Sequence, residues 1–174
     1  MATIMKRPIQ RQSGMTLIEI LVTVLVLAVG LLGMASLTVG SLKNNQGAFL
    51  RTQATVLAYD MADRMKSNAA EAIASSYDNQ TTSDAHADPG CMAAGCTGAQ
   101  RVNADLFFWK QQIEGANGNM AMLPGGVGTI VGGGGATTAG NIFTITITWS
   151  EDRWSDADDS MTTEGQQTVV EFTL

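Results

Sequence analysis

The chain of 174 residues has few of the side chains from which catalytic and metal sites are usually built. It contains two cysteines and one histidine, His86, and aromatic residues make up only 6% of it. Charged residues make up 15%, against about 25% in an ordinary soluble domain. General acid–base chemistry needs a histidine or carboxylate with a suitable partner, and the sequence offers no such grouping. It therefore predicts a protein that is not an enzyme and needs no cofactor.

Basic residues are scarce beyond the first fourteen positions. Residues 1–14 contain three basic residues and no acid, a net charge of +3, whereas residues 15–174 contain seven basic and sixteen acidic residues, a net charge of −9. Binding to nucleic acid depends on Lys and Arg that displace counterions from phosphate. We therefore expect no nucleic-acid partner. The hydrophobic content of 45% also excludes a disordered chain.

Only one stretch is long and apolar enough to cross a membrane. It runs from Ile20 to Leu42, 23 residues without a charge. As a helix it would reach about 35 Å, enough for a hydrocarbon core of about 30 Å. An ordinary secretory signal has an apolar region of only about 7–15 residues. The basic residues before the stretch predict a single-pass topology, with the N-terminus in the cytoplasm and the remainder outside.

The residues around the start of this stretch resemble a known processing signal. Gly14-Met15-Thr16-Leu17-Ile18-Glu19, after a short basic segment and before a long apolar helix, is similar to the class III signal of type IV prepilins and pseudopilins. The resemblance implies that prepilin peptidase cleaves between Gly14 and Met15 and that Met15 becomes N-methylated. It also implies that the Glu19 carboxylate neutralises the amino terminus of a neighbouring subunit, since a charge in an apolar core must be paired. An idle carboxylate at the bilayer edge is the other interpretation of Glu19. A start at Met5 instead of Met1 would shorten the leader.

The sequence FLRTQATVLAYDMADRMKSN at 49–68 resembles the PilV family of type IV pilus minor pilins, and so do the segments 88–100, 105–113 and 145–149. The resemblance implies an α+β fold, in which a long N-terminal helix packs on a small antiparallel sheet. It also implies roles in pilus assembly or priming, adhesion and twitching motility, with other minor pilins and the major pilin as partners. The protein would lie in the inner membrane and then in the pilus on the cell surface. The alternatives are a minor pseudopilin of type II secretion and a membrane-anchored DNA-uptake receptor, which the acidic balance disfavours.

These features predict four segments. Residues 1–14 form the leader, 15–42 the membrane and assembly half of the helix, 43–73 its amphipathic half, and 74–174 a periplasmic globular domain. In the amphipathic half, apolar residues recur at helical spacing and are expected to face the core. They are Leu50, Ala54, Leu57, Met61 and Met65.

The globular domain should contain a second short helix at 98–114 and three strands. The helix has an apolar stripe formed by Val102, Leu106, Trp109 and Ile113, with Asp105 and Lys110 directed outward. The strands are expected at 129–131, 141–149 and 168–174, where β-branched residues are frequent and 141–149 alternates as a half-buried strand does.

Two further groups of residues invite a chemical interpretation. Cys91 and Cys96 lie close in sequence, and outside the cytoplasm such a pair is expected to form a disulfide; zinc would require four ligands. Clustered carboxylates follow the second strand and are weak calcium candidates. They are Asp152, Asp156, Asp158 and Asp159. Because the spacing lacks the Gly and terminal Glu of an EF-hand loop, a solvated hairpin tip is the preferred interpretation and no metal is assigned.

Overall fold

The structure is a computed structural model that describes residues 14–115, 120–132, 142–155 and 160–174. The chain order is α1 (Leu17–Ser67), α2 (Ala69–Ile73), β1 (Gln80–Thr81), α3 (Gly98–Lys110), a π-helical turn (Gln111–Gly115), β2 (Val127–Gly132), β3 (Ile142–Ser155) and β4 (Ser160–Thr173). The chain divides after Leu42 into two compact units. We call 14–42 the apolar unit and Lys43–Leu174 the globular unit.

Helix α1 is 51 residues long and ends earlier than the sequence predicts. It stops at Ser67 and not near Ile73, because Asn68 leaves the helical conformation with φ −120° and ψ 43°. The Asn68 amide donates instead to Tyr77 Oη at 3.2 Å and to the Gly98 carbonyl at 3.0 Å. These side-chain bonds compete with the helical conformation, so residues 69–73 form a separate short helix.

The sheet is a four-stranded antiparallel sheet in the order β1-β2-β3-β4. Strand β3 alternates as predicted and buries one face. The buried side chains of β3 are Phe143, Ile145, Ile147 and Trp149. The two-residue strand β1 was not predicted, because a segment that short carries no periodic signal. The α+β architecture, with a long N-terminal helix and a small antiparallel sheet, is confirmed.

One continuous hydrophobic core joins the helices of the globular unit to this sheet. The predicted stripe of α1, from Leu50 to Met65, is buried in it, and so is the predicted stripe of α3. Trp109 is fully buried, and its indole nitrogen donates to the Leu57 carbonyl of α1 at 3.0 Å. Its ring occupies the space where a Cβ at position 128 would lie, so β2 needs Gly128 there. The core therefore depends on close approach between α3 and β2.

Candidate processing and assembly site

The Gly14–Met15 peptide bond lies outside the helix. Helix α1 begins at Leu17, and the amides of Glu19 and Ile20 both donate to the Thr16 carbonyl, at 3.1 and 3.3 Å. Among the described residues, no atom beyond the adjoining ones lies within 4 Å of the position that a Gly14 Cβ would take. The expected cleavage position is thus exposed, non-helical chain next to a helix start.

Glu19 lies in the first turn of α1, where a negative side chain interacts favourably with the helix dipole. The side chain is exposed, and residues 14–42 contain no Lys or Arg. No Lys or Arg of the apolar unit can therefore pair with its carboxylate, and the pairing of Glu19 with the amino terminus of a neighbouring subunit stays a prediction.

Every residue of the apolar unit is exposed. Of the helices in the described ranges, α1 alone is long and apolar enough to span a membrane, with a mean hydropathy of 2.6 over 18 residues. Two of the hydroxyl side chains in the apolar unit bond within the helix, Thr23 to the Ile20 carbonyl at 2.8 Å and Thr38 to the Met34 carbonyl at 2.9 Å. Since unsatisfied polar groups are costly in lipid, this surface suits an apolar environment.

The globular unit contains a buried carboxylate, Asp105, that the sequence pattern predicts to be exposed. Asp105 was expected to point outward from α3, but it is only 1% exposed. One oxygen accepts a bond from Tyr77 Oη at 2.8 Å, and the other lies 3.4 Å from Arg64 of α1 and 3.4 Å from Arg101 of α3. A buried carboxylate persists only with such partners, which explains why the prediction of an outward side chain was wrong.

Asp105 and its three partners, which we call the Asp105 cluster, join three parts of the globular unit. These parts are α1, α3 and the segment that contains Tyr77. Tyr77 is fully buried, and this burial, together with its contact to the Asp105 carboxylate, raises the pKa of the Tyr77 hydroxyl far above its ordinary value. Tyr77 therefore remains a neutral hydrogen-bond donor. The helical spacing of α3 could have predicted that Asp105 is buried. Asp105 follows Val102 by three residues and precedes Trp109 by four, so it lies on the same face as the apolar stripe.

Cys91 and Cys96 form a disulfide with a Cα–Cα distance of 5.0 Å, which is the pair expected from the sequence. Cys91 is buried and Cys96 is partly exposed. The closed loop directly precedes α3, whose first turn has a capping box in which Thr97 and Gln100 each accept from the other's backbone amide. Disulfide and cap together fix where α3 begins.

Of the four calcium candidates, only Asp152 belongs to the part of the chain that the structure describes. It pairs with Thr163 across β3 and β4, and its carboxylate accepts a 2.7 Å bond from the Thr163 hydroxyl. Asp156, Asp158 and Asp159 lie outside the described residues. Among the described residues, no group of three or more His, Cys, Asp or Glu side chains is placed to hold a metal ion.

A shallow cleft of about 260 Å³ lies between α1 and β3, and Lys43, Leu50 and Glu151 are among its lining residues. The Glu151 carboxylate occupies the space above Gly47, so a larger side chain there would displace it, and it lies 3.8 Å from Arg51. This contact positions the helix against the strand.

Residues 9–35 match the family described as Prokaryotic N-terminal methylation motif. The matched segment includes the Gly14–Met15 bond, Glu19 and most of the exposed apolar surface. No curated protein and no solved structure matches the chain. The motif supports a type IV pilin-like or pseudopilin protein, anchored in a membrane by its N-terminal apolar helix, and it indicates a structural role and not an enzymatic one.

Proposed function

We propose that the chain is a minor pilin of a type IV pilus, similar to the PilV family, that contributes to pilus assembly or priming and thereby to adhesion and twitching motility. The observation that carries the proposal is the methylation motif at residues 9–35, which includes the start of an exposed apolar helix that continues into a globular α+β unit. Its partners would be prepilin peptidase, other minor pilins and the major pilin.

Maturation follows from the same observation. Prepilin peptidase removes residues 1–14 between Gly14 and Met15, and Met15 is methylated. The mature chain then lies in the inner membrane through residues 15–42, with 43–73 as the outer half of the helical region and 74–174 in the periplasm, until it enters the pilus. The open chain around Gly14 and the positive charge of residues 1–14 support this order.

A pair of phenotypes distinguishes this proposal from a minor pseudopilin. A strain lacking the gene should lose surface pili, scored by shearing and by twitching, while it still secretes exoenzymes normally. Complementation with the full chain is the control. Normal pili with defective secretion would assign the chain to a type II secretion system. Loss of DNA uptake with normal pili and secretion would favour a DNA-uptake receptor.

Glu19 provides the test of assembly at the level of one side chain. Glu19→Ala and Glu19→Gln should still insert and still be cleaved after Gly14, because the carboxylate adds nothing favourable to insertion. They should be lost from sheared pili, since an unpaired amino terminus in an apolar filament core costs several kcal/mol.

The matched control is Thr23→Ala, one turn further along the same exposed surface. The Thr23 hydroxyl bonds to its own helix, so its removal takes no partner from a neighbour and pilus incorporation should persist. Recovery of either Glu19 variant in pili at the wild-type level would show that Glu19 is an idle acid at the membrane edge.

A further inference from the structure

The two edges of the sheet differ greatly in length. Strand β1 at one edge has two residues, whereas β4 at the other has fourteen. Strand β4 pairs with β3 without a bulge from Ile142↔Thr173 to Ser155↔Ser160, and within the described residues no strand lies on its other side. We call Gln167–Thr173 the open edge.

The open edge carries one charge, Glu171, but lacks the other features by which proteins usually protect exposed strands. Such edges are kept short, or carry Lys, Pro or a bulge that prevents pairing with another chain. Gln167–Thr173 reads QTVVEFT, with high strand propensity and neither Pro nor Lys. Seven residues also exceed the usual strand length of about 5–6. The open edge is therefore competent to receive another strand.

The fold holds this edge in a fixed extended form. On the core side Val170 is buried, and the Phe172 ring stacks on Phe143 with the centroids 5.5 Å apart. The Lys66 ammonium lies 5.3 Å from the centre of the Phe172 ring. On the other side of the sheet Val169 is 48% exposed, and Glu171 is exposed too. A partner would meet an edge that is already ordered, which reduces the entropy lost on binding.

Charge identifies the kind of partner. Strand β4 contains Glu164 and Glu171 and no Lys or Arg, so two copies of β4 side by side would bring together only negative side chains. Like charges opposite each other on neighbouring strands are destabilising, and opposite charges stabilise the pair. We propose that the open edge binds an extended strand of a different protein that places a Lys or Arg beside Glu171. The inference does not require that the chain be a pilin.

The test introduces the photoreactive residue benzoylphenylalanine into the full-length protein in the cells that make it. It replaces Val169 at the open edge or, as the matched control, Val131 of β2. Val131 is 52% exposed on the same side of the sheet, and its strand pairs with β3 along its whole length and with β1 at the two preceding positions, 129 and 130. Cross-linked peptides are mapped by mass spectrometry. Position 169 should react several-fold more than position 131, with a Lys- or Arg-containing extended segment of another protein.

Variants of the open edge then test whether strand pairing produces the cross-link. Amide groups along an antiparallel strand point alternately to its two sides, so one of Gln167→Pro and Thr168→Pro removes an amide that points away from β3. Thermal unfolding of the purified full chain identifies that variant as the one that keeps its melting temperature. It should abolish the cross-link at position 169. Glu171→Lys should lower the yield several-fold, and Glu171→Gln should lower it less.

Three results would overturn the proposal. They are equal cross-linking at positions 169 and 131, cross-linking of position 169 only to a second copy of the chain, and a full yield in the stable proline variant. If neither proline variant folds, Glu171→Lys decides, because this exposed side chain supports no core contact. An unchanged yield in that variant would refute the charge argument.

Discussion

Replacement of Asp105 by alanine should be among the most damaging single changes in the globular unit. The side chain is 2% exposed and holds three partners, Tyr77 at 2.8 Å and the guanidinium groups of Arg64 and Arg101 at 3.4 Å each. Asp105→Ala would leave a hydroxyl and positive charge without their buried acceptor. The two arginines are 24% and 43% exposed and can be solvated, whereas Tyr77 is fully buried. Leaving a buried polar group without its partner costs about 1–3 kcal/mol, and we expect a loss of unfolding free energy of that size.

Asp60 provides a matched control, because it is a second carboxylate on the same arginine. It lies closer to Arg64, at 2.8 Å, but its side chain is 39% exposed. Exposed pairs contribute only about 0–1 kcal/mol, so Asp60→Ala should change stability little. Burial, and not distance, then decides which carboxylate matters. Asp105→Asn, which keeps an acceptor for Tyr77, should fall between the two.

The assay is denaturant unfolding of the detergent-solubilised full chain, followed by tryptophan fluorescence. Trp109 is a suitable probe because its indole is fully buried and bonded to the Leu57 carbonyl of α1. The midpoint should fall strongly for Asp105→Ala with little change in the slope. The reasoning is refuted if Asp105→Ala costs less than about 1 kcal/mol, the upper limit for exposed pairs, or no more than Asp60→Ala.

Three further predictions concern processing, the disulfide and alkaline pH. Gly14→Val should leave the full-length precursor in the membrane, because a branched side chain directly before the cleaved bond blocks the peptidase. A measured intact mass that corresponds to a chain starting at Met15 would contradict this prediction. Cys91→Ser should lower the unfolding free energy by about 2 kcal/mol, the value for so short a loop, and thiol labelling of the unfolded wild type should find no free cysteine. Burial raises the pKa of the Tyr77 hydroxyl in the folded protein, so above the ordinary tyrosine pKa of about 10 the unfolded chain loses the hydroxyl proton first. The unfolding free energy of the wild type should therefore fall as the pH rises above about 10. Tyr77→Phe, compared with wild type at about pH 9 and about pH 11, should lack that component.

The periodic parts of the structure could be predicted from the sequence. The apolar stripe of α1 from Leu50 to Met65 and the alternation of β3 from Phe143 to Trp149 each repeat their signal several times, and both are buried as expected. The Cys91–Cys96 disulfide could also be predicted from the sequence, because the predicted topology puts both cysteines outside the cytoplasm, where disulfides form.

Features that depend on single contacts between distant segments could not be predicted. The early end of α1 arises from bonds between Asn68 and two groups, Tyr77 and Gly98, that the sequence does not bring together. The burial of Asp105 depends on Arg64, which lies 41 positions earlier. Periodicity reports which face of an element is apolar, but it does not report which polar side chain finds a buried partner.

Exposure along α1 separates the parts of the chain that stabilise the fold from the part that needs other molecules. From Leu50 to Met65 the side chains of the apolar stripe are buried in the core of the globular unit, whereas from Leu17 to Leu42 every apolar side chain is exposed. Burial of that second surface, at about 25 cal/mol per Å², is available only from lipid or from other proteins. Changes at Asp105 should therefore act through unfolding, and changes at Glu19 should leave the globular unit folded while they abolish its assembly.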